Sequence, residues 1–156
     1  MKLQTLLKNL PVIKVEGAVD KVIEGIEFDS RKAKQESLFV AVKGVHVDGH
    51  DFIEKAIDNG TEVIVAEKVI ENLKEGVTWI IVQNSAEALG LLAAEFYEHP
   101  SKKLKLVGVT GTNGKTTVAS LLYNLFTDMG FKTGLLSTIE IKIGDEVLDA
   151  THTTPN

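Results

Sequence analysis

Gly111-Thr112-Asn113-Gly114-Lys115-Thr116-Thr117 decides how this chain of 156 residues is read. Before it runs Leu104-Lys105-Leu106-Val107-Gly108-Val109, a short apolar stretch that reads as a buried strand. After it runs Val118-Ala119-Ser120-Leu121-Leu122-Tyr123-Asn124-Leu125-Phe126, which reads as a helix ending near Met129-Gly130. A strand, a glycine-rich turn and then Gly-Lys-Thr opening a helix is the context a phosphate-binding loop requires. The first backbone N–H groups of a helix have no intrahelical partners and carry the positive end of its dipole. Glycines let that backbone close around a polyphosphate without a Cβ clash. Lys115 can reach the terminal phosphates, and the Thr116 hydroxyl can ligate Mg²⁺. The bland alternative is a strand–helix turn with a surface lysine, and the flanking pattern on both sides argues against it. One departure stands out. The usual spacing asks for glycine at position 109, where Val109 stands between Gly108 and Gly111.

Composition narrows the field. Hydrophobic residues make up 44% and charged residues 25%, ordinary for a soluble globular protein. The net charge of -5 comes from intermixed acids and bases, and no basic stripe points to nucleic acid. With no cysteine there is neither a disulfide framework nor a thiolate metal site, which fits a reducing cytoplasm. Residues 1–10 lack the apolar run and cleavage site of a signal peptide, and no stretch reads as a membrane span.

Upstream of the loop, strands and helices alternate, which predicts a small α/β sheet domain. Leu3, Leu6, Leu7 and Leu10 fall at helical spacing, ended by Pro11. Strands are expected at 12–15, 20–28, 37–42, 62–66 and 78–82. Phe52, Ile53, Ala56 and Ile57 form a helical face stopped by Asn59-Gly60, and 69–73 reads as a short helix. Asn84 or Ser85 caps a helix over 86–97, with Leu89, Leu92, Ala93 and Phe96 on one face. Asp29-Ser30-Arg31 ends an early strand and, on residue type alone, is a turn. His46, Asp48 and His50 share a polar loop; with no further ligand pair at metal spacing, they read as solvated rather than metal-binding. His99-Pro100-Ser101-Lys102-Lys103 breaks the apolar pattern and marks a domain boundary. Beyond the loop helix, 133–137 reads as a strand, and 138–143 and 146–149 as a hairpin around Gly144-Asp145. The end, Thr151-His152-Thr153-Thr154-Pro155-Asn156, reads as a polar tail.

The segment Thr110-Gly111-Thr112-Asn113-Gly114-Lys115-Thr116-Thr117 resembles the nucleotide loop of the Mur ligases, ATP-dependent amide ligases that build the peptidoglycan stem peptide. That family shares the variant glycine spacing. Asp29-Ser30-Arg31 resembles the uridine-binding segment of the branch that acts on UDP-N-acetylmuramoyl-dipeptide, where the Ser30 hydroxyl would hydrogen-bond the uridine. The run from Leu38-Phe39-Val40-Ala41 to Asp48-Gly49-His50-Asp51-Phe52-Ile53 resembles the same branch, in which this loop lies along the UDP moiety. Thr153-Thr154-Pro155 resembles a segment that contacts the muramoyl-peptide, with His152 and Asn156 departing from the family's neighbours.

The resemblance implies a small N-terminal α/β domain for the UDP-MurNAc-peptide over 1–99, followed over 100–156 by the truncated start of a P-loop α/β ATPase domain. It implies a peptide synthetase of the cytoplasm that activates the D-glutamyl carboxylate with ATP and Mg²⁺ through an acyl phosphate. A diamino acid, meso-diaminopimelate or L-lysine, then attacks. In that scheme Gly111, Thr112, Asn113, Gly114, Lys115, Thr116 and Thr117 hold the nucleotide, and Lys115 is catalytic. Thr116 binds the metal, and Ser30, Thr153 and Thr154 bind the UDP substrate. The metal carboxylate, a carboxylated lysine and the diamino-acid site are expected beyond Asn156, so this N-terminal piece alone is expected to be inactive. Its bare sheet edge is expected to favour self-association; neither nucleic acid nor membrane is an expected partner. Two alternatives stay open. A folate polyglutamate ligase has a similar loop, although that family lacks the domain that carries Asp29-Ser30-Arg31. A non-catalytic UDP-sugar binding module is the other.

Overall fold

The computed structural model describes residues 1–44, 47–68, 75–144 and 146–149. The expected helix over 69–73, His46, and the tail with Thr153 and Thr154 lie outside the described residues. The chain divides into two compact units, Met1–Leu104 and Lys105–Asn156.

The first unit is built on a five-stranded sheet. Its strands are β1 (Val12–Glu16), β2 (Gly25–Glu27), β3 (Ser37–Val40), β4 (Val63–Ala66) and β5 (Thr78–Val82), in the spatial order β1-β5-β4-β3-β2. β2 to β5 run parallel, and β1 closes one edge antiparallel to β5. Parallel strands need crossovers, and the crossovers put cover on both faces. The sequence of β3 and β4 shows this directly, because every residue of both strands is buried. Leu38, Val40, Val63, Val65, Ile80 and Val82 pack on one face with Leu3, Leu6, Leu10, Ile23, Ala88 and Leu92. Phe39, Ala41, Ile64, Ala66 and Trp79 pack on the other with Ala33, Ile53 and Ala56. The alternation along each strand thus sorts side chains between two apolar layers rather than between core and water. Each large side chain fully buried this way stabilises the fold by about 1.5–3 kcal/mol.

Three helices supply the cover. The leucine pattern at the N-terminus forms α1 (Leu3–Leu6), which tightens into a 3₁₀ turn over Leu7–Asn9. Helix α2 (Ile53–Asp58) buries Ile53 and Ala56 and stops at Asn59, with Gly60 in the left-handed region at φ 101°. Helix α3 (Ser85–Phe96) is capped by Asn84, whose side chain accepts the Glu87 N–H at 3.0 Å. The expected strand over 20–28 is shorter than its apolar pattern. Only Gly25–Glu27 pairs, and Val22 makes a lone antiparallel bridge to Lys2.

The second unit contains α4 (Lys115–Asp128) and a three-stranded antiparallel sheet, β6 (Gly134–Leu136), β7 (Glu140–Ile143) and β8 (Glu146–Asp149). The hairpin turns at Gly144, which sits at φ 58°. Tyr123 of α4 donates its hydroxyl to the Gly144 carbonyl at 3.0 Å, and the Lys142 ammonium lies 5.6 Å from the Tyr123 ring centroid. Among the described residues of this unit, only Leu135 is buried.

The expected strand over 104–109 does not form. These residues adopt no ladder, and Leu106 is 89% exposed. A strand exists only where a neighbour accepts and donates its backbone hydrogen bonds. No described segment offers that pairing to 104–109, so Leu104, Leu106 and Val107 stay in water.

Candidate functional site

The phosphate-loop residues stand at the start of α4. Gly114 is the N-cap, at φ 78°, a left-handed conformation that a Cβ would strain. A Cβ on Gly114 would meet nothing within 4 Å, so conformation rather than space selects glycine there. No side chain caps the helix and no acidic residue lies in its first turn. The earliest intrahelical bond shown runs from the Val118 N–H to the Gly114 carbonyl, at 2.9 Å. The amides just before it are therefore left for a ligand or water. Residues 111–115 are exposed and Thr116 is half-buried. The Lys115 ammonium folds back over the loop, donating to the Gly111 carbonyl at 2.6 Å and to that of Thr112 at 3.4 Å. The arrangement offers bare amides, a helix dipole and one ammonium on the same short loop, which suits a polyphosphate.

A second group of polar residues collects at the carboxyl ends of the parallel strands of the first unit, the edge where open α/β sheets place their ligands. After β2 comes the tight turn Asp29-Ser30-Arg31. The Lys32 N–H closes it onto the Asp29 carbonyl at 2.9 Å. Arg31 grips Asp29 in a fork, with Nε 2.9 Å from Oδ1 and Nη2 2.7 Å from Oδ2, and its own N–H adds a third contact at 3.0 Å. These donors hold the Asp29 carboxyl down at about 2. Ser30 itself is only 5% exposed, and its carbonyl accepts the Asn59 side-chain amide at 2.8 Å. The turn is thereby tied to the end of α2.

Lys43 and Asp48 form a bridge, and the Gly44 N–H donates to the Val47 carbonyl at 2.9 Å. The Gly49 N–H then returns to the Val42 carbonyl at 2.9 Å. A Cβ on Gly49 would lie 2.6 Å from that carbonyl oxygen and 2.7 Å from the Val42 nitrogen, so only glycine fits. Asp48 caps the 3₁₀ turn Gly49–Phe52 by accepting the His50 N–H at 3.0 Å.

His50 is committed at both ring nitrogens. Nε2 accepts the backbone N–H of Glu67, just past β4, at 3.0 Å. An accepting Nε2 carries no proton, so the proton sits on Nδ1 and is donated to Asp48 Oδ1 at 2.6 Å. The two His50 contacts hold the Asp48 carboxyl below its ordinary value, the backbone bond foremost. Glu67 continues the chain of contacts. Its Oε1 accepts the N–H of Ser85 at 2.9 Å and the Ser85 hydroxyl at 2.8 Å, which lowers the Glu67 pKa in the same way. Among the described residues, no group of three histidines, cysteines or carboxylates is placed to hold a metal ion.

Glu67 and Asn59 are the residues that sequence reasoning did not place at this edge. Glu67 directly follows the apolar run Val63-Ile64-Val65-Ala66, and a charged residue at that position was the available signal. Nothing local marks Asn59 for Ser30, because the two meet only through the packing of α2.

Two family models match the chain, one in each part. Residues 22–97 match the Mur ligase family catalytic domain, and residues 109–156 match the Mur ligase middle domain. A UDP-N-acetylmuramoyl-L-alanyl-D-glutamate–2,6-diaminopimelate ligase of Cytophaga hutchinsonii is 51% identical over 100% of this chain, which spans 32% of that relative. The enzyme of the same name from Bacillus velezensis is 47% identical over 99% of this chain, which spans 31% of it. The chain therefore spans about a third of the length of the curated relatives it matches. A crystal structure of MurF from Acinetobacter baumannii superposes with a TM-score of 0.65 at 28% identity, over 82% of this chain and 28% of its own. A structure of a UDP-N-acetylmuramoyl-L-alanyl-D-glutamate–2,6-diaminopimelate ligase shares the fold, with a TM-score of 0.71 at 20% identity, over 100% of this chain and 31% of its own. With a domain match on either side of the Leu104–Lys105 division and relatives aligned along the whole chain, this protein belongs to the Mur ligase family.

Proposed function

We propose that this chain supplies the UDP-substrate domain and the nucleotide loop of an ATP-dependent ligase that joins diaminopimelate to UDP-N-acetylmuramoyl-L-alanyl-D-glutamate. The domain assignment follows the expected division, 1–99 for the UDP substrate and 100–156 for the start of the ATPase domain. The names of the relatives support diaminopimelate over L-lysine. The observation that carries the catalytic half is the exposed, uncapped start of α4, with Lys115 lying across it.

In this reading the amides of residues 111–117 bind the phosphates. Lys115 exchanges the Gly111 and Thr112 carbonyls for phosphate oxygens, and the Thr116 hydroxyl supplies one oxygen to Mg²⁺. ATP supplies the phosphoryl group that turns the D-glutamyl carboxylate into an acyl donor for the incoming amine. The chain's own contribution is positioning and charge neutralisation. Ser30 lies in a turn held by Arg31 and Asn59, which suits it to orient the uridine. Thr153 and Thr154 are assigned to the muramoyl-peptide on the family resemblance alone.

The test is Lys115→Ala in the full-length ligase carrying this chain. Turnover should fall by about a hundredfold or more, the loss seen when one preorganised charge-stabilising group is removed. Binding of the UDP substrate should be unchanged. Full turnover by the variant would remove the loop from the mechanism. UDP-substrate binding by a full-length protein that hydrolyses no ATP would instead support a non-catalytic binding module.

A further inference from the structure

The polar contacts at the carboxyl edge form one continuous path across three strand ends. The path runs from Asp48, after β3, through the His50 ring to the backbone of Glu67, after β4. It continues through the Glu67 carboxylate to Ser85 at the start of α3. Every link points in a fixed direction, because His50 Nε2 can accept from the Glu67 N–H only while its proton resides on Nδ1. Lys43 pairs with Asp48 through a backbone bridge, and its charge adds to the lowering of both carboxylates after their hydrogen bonds. The His50 side chain is only 12% exposed, so water competes weakly for either nitrogen.

We propose that His50, as the Nδ1–H tautomer, is a positioning residue that fixes the main chain of residues 47–50 to the end of β4 in the arrangement that receives a uridine diphosphate. The inference rests on reading this edge as the seat of the UDP substrate. His50 has no hydrogen-bonding nitrogen left for a ligand, so it acts through the backbone it holds. An edge already rigid before the ligand arrives avoids the entropy cost of ordering it on binding. Gly49 fits the same role, since its closeness to Val42 allows the strand end and the turn a single spacing.

The experiment is calorimetric titration of this chain with UDP, for the wild type, His50→Ala and His50→Gln, with thermal melting of each. Nitrogen-detected spectra of the histidine rings identify the tautomer. The wild type should bind UDP and show a bare Nε2 and a protonated Nδ1 on His50. His50→Ala should bind UDP roughly tenfold more weakly, the cost expected when a part-buried amide loses its acceptor and the turn loosens. His50→Gln, whose amide oxygen can accept from the Glu67 N–H, should recover most of that loss. Should His50→Ala fail to fold, the tautomer and the glutamine variant decide. A folded His50→Ala that binds UDP as well as the wild type overturns the positioning role alone, as does a ring protonated on Nε2. A wild-type chain that does not bind UDP while His50 shows the expected tautomer overturns the reading of the edge, and the positioning role with it.

Discussion

At the scale of single residues, the carboxyl edge of the first unit is held by contacts that tolerate little change. Gly49 is the sharpest case, because a methyl group there lies 2.6 Å from the Val42 carbonyl oxygen. Gly49→Ala should destabilise the first unit by about 1–3 kcal/mol, as overpacking of fixed backbone does, read from urea denaturation. Acid sensitivity follows from the carboxylates. Asp29 titrates at about 2 against an ordinary 3.8, and Asp48 and Glu67 are also lowered. A lowered folded-state value means that the native state holds its proton less tightly than the unfolded state. The resulting stabilisation is fully present above the ordinary carboxylate values and is lost as pH falls through the folded ones. Arg31→Ala should return the Asp29 midpoint toward 3.8, measured by NMR titration of its side chain. The turn at Asp29-Ser30-Arg31 was legible as a turn from residue type. The fork from Arg31 and the tie from Asn59 were not, since one depends on rotamers and the other on a tertiary contact.

At the scale of elements, two apolar runs that look alike in sequence have opposite fates. Ser37-Leu38-Phe39-Val40 is paired on both sides, by β2 and β4, and covered on both faces. The run over 104–109 has no ladder, and Leu104, Leu106 and Val107 are exposed. Phe39→Ala should cost about 3–5 kcal/mol, whereas Leu106→Ser should stay within about 0.5 kcal/mol in this chain, both by urea denaturation. A strand signal reports that a segment can pair. It does not report whether a partner is present, and the strand expected over 104–109 does not form because no described segment supplies one. The caps were more legible because they are local. Asn84 before α3 and Asn59-Gly60 after α2 fall where their backbone chemistry predicts.

At the scale of the whole molecule, the two units are unequally built. The first has apolar layers on both faces of its sheet, and the second buries only Leu135 among its described residues. Amide hydrogen exchange should show slow exchange in β3, β4 and β5 and much faster exchange in α4 and β6 to β8, because protection tracks buried apolar packing. The α/β class was legible from the alternation of runs. The antiparallel edge β1 and the pairing of β6 with β7 depend on contacts that periodicity does not encode, whereas the β7–β8 hairpin was legible from its turn. The central claim is that the carboxyl edge of the first unit receives the UDP end of the substrate. It is tested most directly by backbone amide NMR of this chain during titration with UDP-N-acetylmuramoyl-L-alanyl-D-glutamate. The account predicts saturable shifts concentrated at Ser30 and its neighbours, at residues 47–50 and at Glu67. Absence of shifts there, or shifts confined to other surfaces of the first unit, would contradict it.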